Sequence, residues 1–107
     1  MREVVVGFDM RLENEKGDRI DEVGDPRNLL GRLLPSPKDE SFACLRFVDP
    51  YGDTVFNRIQ IETFIRELER IRIKATTKEE QALLDRLRAL AERCQSEPHL
   101  YLKFYGD

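Results

Sequence analysis

Apolar residues change their spacing several times along this chain, and each change marks an element. From Glu3 to Leu12, Val4, Val6, Phe8 and Met10 share one face, with Val5 and Leu12 partly apolar on others. Side chains alternate across a pleated strand, so the segment predicts a first strand. Glu13 to Asp18 follows as a polar turn, with Gly17 as the residue free to adopt a positive φ. Arg19 to Val23 reads as a short second strand or an extended loop, because Ile20 and Val23 do not alternate. Asp25-Pro26 predicts a helix start, since aspartate accepts hydrogen bonds from free N–H groups and proline is tolerated at the first helical position. Leu29, Leu30, Leu33 and Leu34 form its stripe, and Pro35-Ser36-Pro37 ends it.

The densest stretch runs from Phe42 to Ile73. Phe42 to Val48 is apolar on both faces except at Arg46, which predicts a central strand. Asp49-Pro50-Tyr51-Gly52-Asp53 carries turn chemistry, and Thr54, Val55 and Phe56 are strand formers, with Asn57 to Gln60 as an extension. The expectation is therefore a β-hairpin. The period then lengthens. Ile61, Phe64, Ile65, Leu68 and Ile71 recur at helical spacing, and Glu62, Arg66, Glu67, Glu69 and Arg70 make the opposite, solvated face. Thr77 and Glu80 form a capping box for a second long helix, from Lys78 to about Gln95, with Leu83, Leu84, Leu87, Leu90, Ala91 and Cys94 on its apolar side. His99 to Tyr105 closes the chain as a strand, with Leu100, Leu102 and Phe104 on one face and Tyr101, Lys103 and Tyr105 on the other. These elements predict one α+β domain over residues 1–107. It has a mainly antiparallel sheet of about four strands, two longer helices and one short helix, with the helices mostly on one face. The partner of the last strand, whether the first strand or the hairpin, stays open.

A chain of 107 residues can bury a core without disulfides or metal. The net charge of −3 and the lack of a basic run argue against nucleic-acid binding. The apolar runs are too short to span a bilayer, and Arg2-Glu3 followed by only three valines does not read as a signal peptide, so a cytoplasmic location is expected. Cys44 and Cys94 fit no metal spacing and fall on apolar faces, where buried free thiols are the default. Residues 1–40 hold ten acids and seven bases, whereas the rest of the chain is balanced. Asp9, Glu13, Glu15, Asp18, Asp21, Glu22 and Asp25 contribute to that excess, and a folded-back turn at Glu13–Asp18 would gather several of them on one edge.

Candidate chemistry is sparse. His99 is the sole histidine, with no neighbouring nucleophile in sequence. Asp49 and Asp53 flank a tight turn but lack the further ligands of a calcium loop, so turn hydrogen bonding explains them better. No metal, cofactor or catalytic set is predicted. The tyrosine face of the last strand is a half-polar platform suited to a protein partner if no helix covers it.

The segments DPYGDTVFN, DPRNLLGRLLP and HLYLKFYGD resemble a group of small uncharacterised bacterial proteins. In size, acidity and lack of catalytic groups the chain also resembles immunity proteins of bacterial toxin systems. That resemblance implies cytoplasmic inhibition of a toxin by occlusion and assigns no residue. The leading expectation is a non-enzymatic protein-binding module that covers a basic partner, with Glu13, Glu15, Asp18, Asp21, Tyr101 and Tyr105 as its surface. One alternative is a small-molecule-binding domain with Arg46, Asp49, His99 and Tyr101 converging at one end of the sheet. Another is a structural homo-oligomer, such as a homodimer paired through the last strand.

Overall fold

A computed structural model describes residues 7–106. Four strands, β1 (Phe8–Asn14), β2 (Arg19–Asp25), β3 (Asp53–Phe56) and β4 (Leu100–Tyr105), form one antiparallel sheet in the order β2-β1-β4-β3. Three helices, α1 (Leu29–Leu33), α2 (Arg58–Ile71) and α3 (Lys78–Ser96), pack on one side of it. The architecture is the expected α+β one, with two longer helices and one short. Val4 and Val6 lie outside the described residues. Phe8, Met10 and Leu12 all face the core, so Leu12 belongs to the same face as Met10 rather than to another.

The core is knit by aromatic rings. Phe104, at the centre of β4, lies 6.2 Å from Phe8 of β1, 5.9 Å from Phe56 of β3 and 5.8 Å from Phe64 of α2. Edge and tilted arrangements at these separations favour ring quadrupoles as well as burial. The final strand therefore pairs with both candidates at once: Met10 opposes Phe104 on one side and Thr54 opposes it on the other. Both edges of β4 are occupied within the chain, so this strand offers no free edge for pairing across two chains.

Arg19 to Asp25 is a strand after all. Its pairing with β1 slips at Leu12/Glu13, so Leu12 opposes Asp21 while Glu13 opposes Arg19. A bulge breaks simple alternation, which is why Ile20 and Val23 look out of phase. Gly17 takes φ 84° in the β1–β2 turn, as expected. The short helix begins at Leu29 rather than at Pro26, but Asp25 still caps it. Its buried carboxylate accepts from the N–H of Leu29 (2.9 Å) and Leu30 (2.8 Å). Thr77 and Glu80 form the expected capping box on α3. A second box, Asn57 with Gln60, starts α2 where a strand extension had been expected.

The main departure is Phe42–Val48. It forms no strand and no hairpin with Thr54–Phe56; Leu45–Phe47 is a 3₁₀ turn lying on α2. The cause is Glu67, which helical spacing placed on the solvated face of α2 and which is instead 4% exposed. One carboxylate oxygen accepts from Ala43 N–H (2.6 Å), the other from Cys44 N–H (3.0 Å) and Leu45 N–H (2.8 Å). Successive N–H groups of a strand point to opposite sides, so three in a row cannot reach one carboxylate. They converge only when the backbone curls into an anion-binding concavity. Arg70, one turn further along α2, donates to the carbonyl of Ser41 (2.6 Å) and lies over the Phe42 ring (3.8 Å). Phe42, Cys44, Leu45 and Val48 are thereby buried at irregular spacing, and Phe47 is left 58% exposed.

At the far end of β4 the Asp49–Gly52 turn crosses directly over Gly106. A Cβ there would sit 2.4 Å from the carbonyl oxygen of Asp49, so the close approach requires glycine. Hydrogen bonds to a buried charge are worth about 1.5–3 kcal/mol, and orphaned donors cost a comparable amount. Glu67→Gln, which keeps one acceptor oxygen and turns an amide NH₂ towards the donors, is expected to lower unfolding free energy by about 2–4 kcal/mol. Glu62→Gln, on the exposed side of the same helix, is expected to change it by less than about 0.5 kcal/mol. Urea unfolding of the two variants checks both values.

Candidate functional site: the open face of the sheet

Because every helix packs on the Phe8, Leu102 and Phe104 side, the opposite side of the sheet carries no helix among the described residues. Strand register sets its side chains in three rows. Asp9, Tyr105 and Asp53 form the first, Glu22, Arg11, Lys103 and Val55 the second, and Arg19, Glu13 and Tyr101 the third. The alternation of buried and half-buried residues along β4 matches the expected two-faced strand, with Tyr101, Lys103 and Tyr105 half-buried.

The middle of this face is tightly organised. Glu13 is 3% exposed beneath its neighbours. It accepts from the Tyr105 hydroxyl at 2.5 Å and the Lys103 ammonium at 3.0 Å. The Arg11 guanidinium lies 4.8 Å from the centre of the Tyr105 ring and 3.7 Å from the carboxylate of Glu22. Burial works against the Glu13 anion, but the hydrogen bonds from Tyr105 and Lys103, with the charges of Lys103 and Arg11, outweigh it and hold Glu13 below its ordinary value. The same bonds raise both Lys103 and Tyr105. This cluster ties side chains of β1 and β4 together, with the Arg11 guanidinium over the Tyr105 ring.

Much of the acidic edge expected from residues 1–40 is engaged within the chain, Glu13 and Asp25 by burial and Asp21 and Glu22 in surface pairs. Glu13 is buried under Lys103 and Tyr105, Asp21 pairs with Arg93 of α3 at 3.3 Å, Glu22 pairs with Arg19 at 2.8 Å, and Asp25 caps α1. Glu13 therefore offers no charge at the surface, whereas Asp21 stays exposed beside Arg93. Glu15 and Asp18 stay exposed in the β1–β2 turn, Glu15 3.5 Å from the Nδ1 of His99 and Asp18 accepting from Asn14. Asp9 and Asp53, on either side of Tyr105, are exposed and have no cation partner among the described residues. Asp53 was noted in the sequence only as a turn residue. Its place beside Tyr105 follows from the β3–β4 register, which no local pattern announces.

The proposed small-molecule set does not assemble. His99, with a strained φ of 64°, and Tyr101 sit at the start of β4, while Asp49 lies over Gly106 beyond its end. Six strand residues place those ends roughly 17–20 Å apart. Arg46 stacks on its neighbour Phe47 at 4.5 Å. Asp49 accepts from Tyr51 N–H at 2.9 Å, the turn role expected of it. Cys44 and Cys94 are buried free thiols, and burial pushes both up to about 11, so neither is poised as a nucleophile.

Tyr101 is half-buried on the open face and borders two shallow hollows, one shared with Val55 and Lys103 and the other with Ile59 and His99. Val55 is 49% exposed and Ile59 is 89% exposed. Comparison with known protein families, curated proteins and solved structures returns no match. Among the described residues no helix is long and apolar enough to cross a membrane.

The Glu13 cluster has a pH signature. A carboxylate held below its usual 4.5 contributes stability that is complete above that value and is lost as pH falls through the folded value. Raised Lys103 and Tyr105 favour their protonated forms in the fold, so their stabilisation is complete below about 10 and is lost at higher pH. Tyr105→Phe is expected to be less stable than the wild type at pH 7, with the gap closing as pH drops below 4.5. Urea unfolding of both proteins from pH 3 to 8 tests this.

Proposed function

We propose that this protein is a non-enzymatic protein-binding module that covers a basic surface of its partner with the open face of the sheet. The observation that carries the reading is Tyr101 standing between two hollows on an uncovered sheet, flanked by exposed Val55 and Ile59. Tyrosine supplies large contact area at low entropic cost and is enriched in binding hot spots. The three rows carry four carboxylates, Asp9, Glu13, Glu22 and Asp53, against three cations, Arg11, Lys103 and Arg19. Glu13 and Glu22 are satisfied internally, so the charge offered to a partner is that of Asp9 and Asp53, with Glu15 and Asp18 on the rim. Such a rim speeds encounter with a basic protein and rejects acidic ones.

The finer form of this proposal is an immunity-type inhibitor that silences a toxin in the cytoplasm by occluding it. A tyrosine-bearing sheet whose central side chains are held by the Glu13–Lys103–Tyr105 contacts suits occlusion, because those groups lose little ordering entropy on docking, while Asp9 and Asp53 keep their charge for the partner.

The test is affinity capture from a native lysate with the wild type, Tyr101→Ser and the double variant Asp9→Lys/Asp53→Lys, at low and high salt. One partner is expected with the wild type. Tyr101→Ser should weaken it by roughly thirtyfold, about 2 kcal/mol, and both charge reversal and high salt should weaken it further. Capture that is indifferent to the substitutions and to salt would overturn the reading.

A further inference from the structure

On the opposite side of the molecule, the turn entering α1 and one face of α3 enclose a hollow of about 440 Å³. Its floor is apolar: Leu83 is 1% exposed, and Pro26, Leu29 and Ala82 line the sides. Glu79, Ala82, Leu83 and Arg86 fall three, four and seven residues apart, so one stripe of α3 faces it. The opposite wall is held by a left-handed Asn28, φ 53°, and by the Asp25 carboxylate, both of whose oxygens are occupied by the N–H groups of Leu29 and Leu30. Asp25 is thus buried, with both carboxylate oxygens turned to the backbone N–H groups at the start of α1. Arg27 bridges the mouth to Glu79. Arg86 also lines the hollow, and among the described residues it has no carboxylate partner.

Small-molecule sites are concave, mainly apolar, of about 300–1,000 Å³, with one or two polar groups that orient the ligand. This hollow has that size and a mainly apolar floor; of its four charged residues, Asp25 caps α1 and Arg27 pairs with Glu79, which leaves Arg86, whose planar guanidinium suits a carboxylate. We propose that it binds a small organic acid with a compact apolar body: the body rests on Leu29, Ala82 and Leu83, and the carboxylate accepts from Arg86. The site is independent of the open sheet face and does not depend on the protein-binding reading.

A suitable probe is 2-naphthoate, with its neutral amide as control, titrated into ¹⁵N-labelled protein. Saturable shifts are expected for the amides of Leu29, Ala82, Leu83 and Arg86, with the open sheet face unmoved. Arg86→Gln should weaken 2-naphthoate by roughly tenfold and leave the weaker amide unchanged, as expected for one charge-assisted contact at a partly exposed site. Ala82→Phe, on an exposed helical position, should fill the hollow and abolish the shifts while the rest of the spectrum stays native. No saturable shift at these four residues, or binding equal for acid and amide and unaffected by both substitutions, would overturn the proposal.

Discussion

One carboxylate, that of Glu67, decides the path of the chain between α1 and β3. Its two oxygens gather three consecutive backbone N–H groups, those of Ala43, Cys44 and Leu45. A buried anion without such partners would be expensive, and buried N–H groups without an acceptor would be nearly as costly. Each half of the arrangement therefore depends on the other. Arg70 adds a second tie one turn later, to Ser41 and the Phe42 ring. Together they bolt the segment to α2, where Phe42, Cys44, Leu45 and Val48 complete the core.

The consequence reaches the sheet. A segment docked on α2 is not available to pair with β3, so β3 is an edge strand and β4 takes the centre, between β1 and β3. Central placement puts Phe104 among Phe8, Phe56 and Phe64 on the covered side, and it sets Tyr101, Lys103 and Tyr105 in the middle of the uncovered side. The cross-strand register then brings Glu13 under Lys103 and Tyr105. A platform of fixed aromatic and charged side chains thus follows from where one loop is held.

Local signals were legible wherever local chemistry decides structure. The Thr77/Glu80 box, Gly17 in its turn, the Asp25 cap, the turn bonding of Asp49 and the two-faced last strand all follow from side chains within a few residues of each other. Phe42–Val48 misled because a short apolar run bounded by turn residues fits a buried strand as well as a curled segment, and the residue that decides between them lies more than twenty positions away. Glu67 itself reads as surface, since helical periodicity cannot tell a solvated glutamate from one that serves a neighbouring backbone. The acid excess of residues 1–40 was real, but sequence does not show that Arg93, Lys103 and two helical N–H groups absorb much of it. The tyrosine platform was visible as a pattern; that no helix among the described residues covers it depended on which side the helices chose.

The most direct test of this account is the backbone NMR of residues 42–48 in the wild type and in Glu67→Gln. Turn-type chemical shifts, slow amide exchange at Ala43, Cys44 and Leu45, and loss of that protection in the variant are the predicted result. Extended-strand shifts, with cross-strand contacts from 42–48 to Thr54–Phe56, would contradict the central role of the Glu67 carboxylate and restore the hairpin.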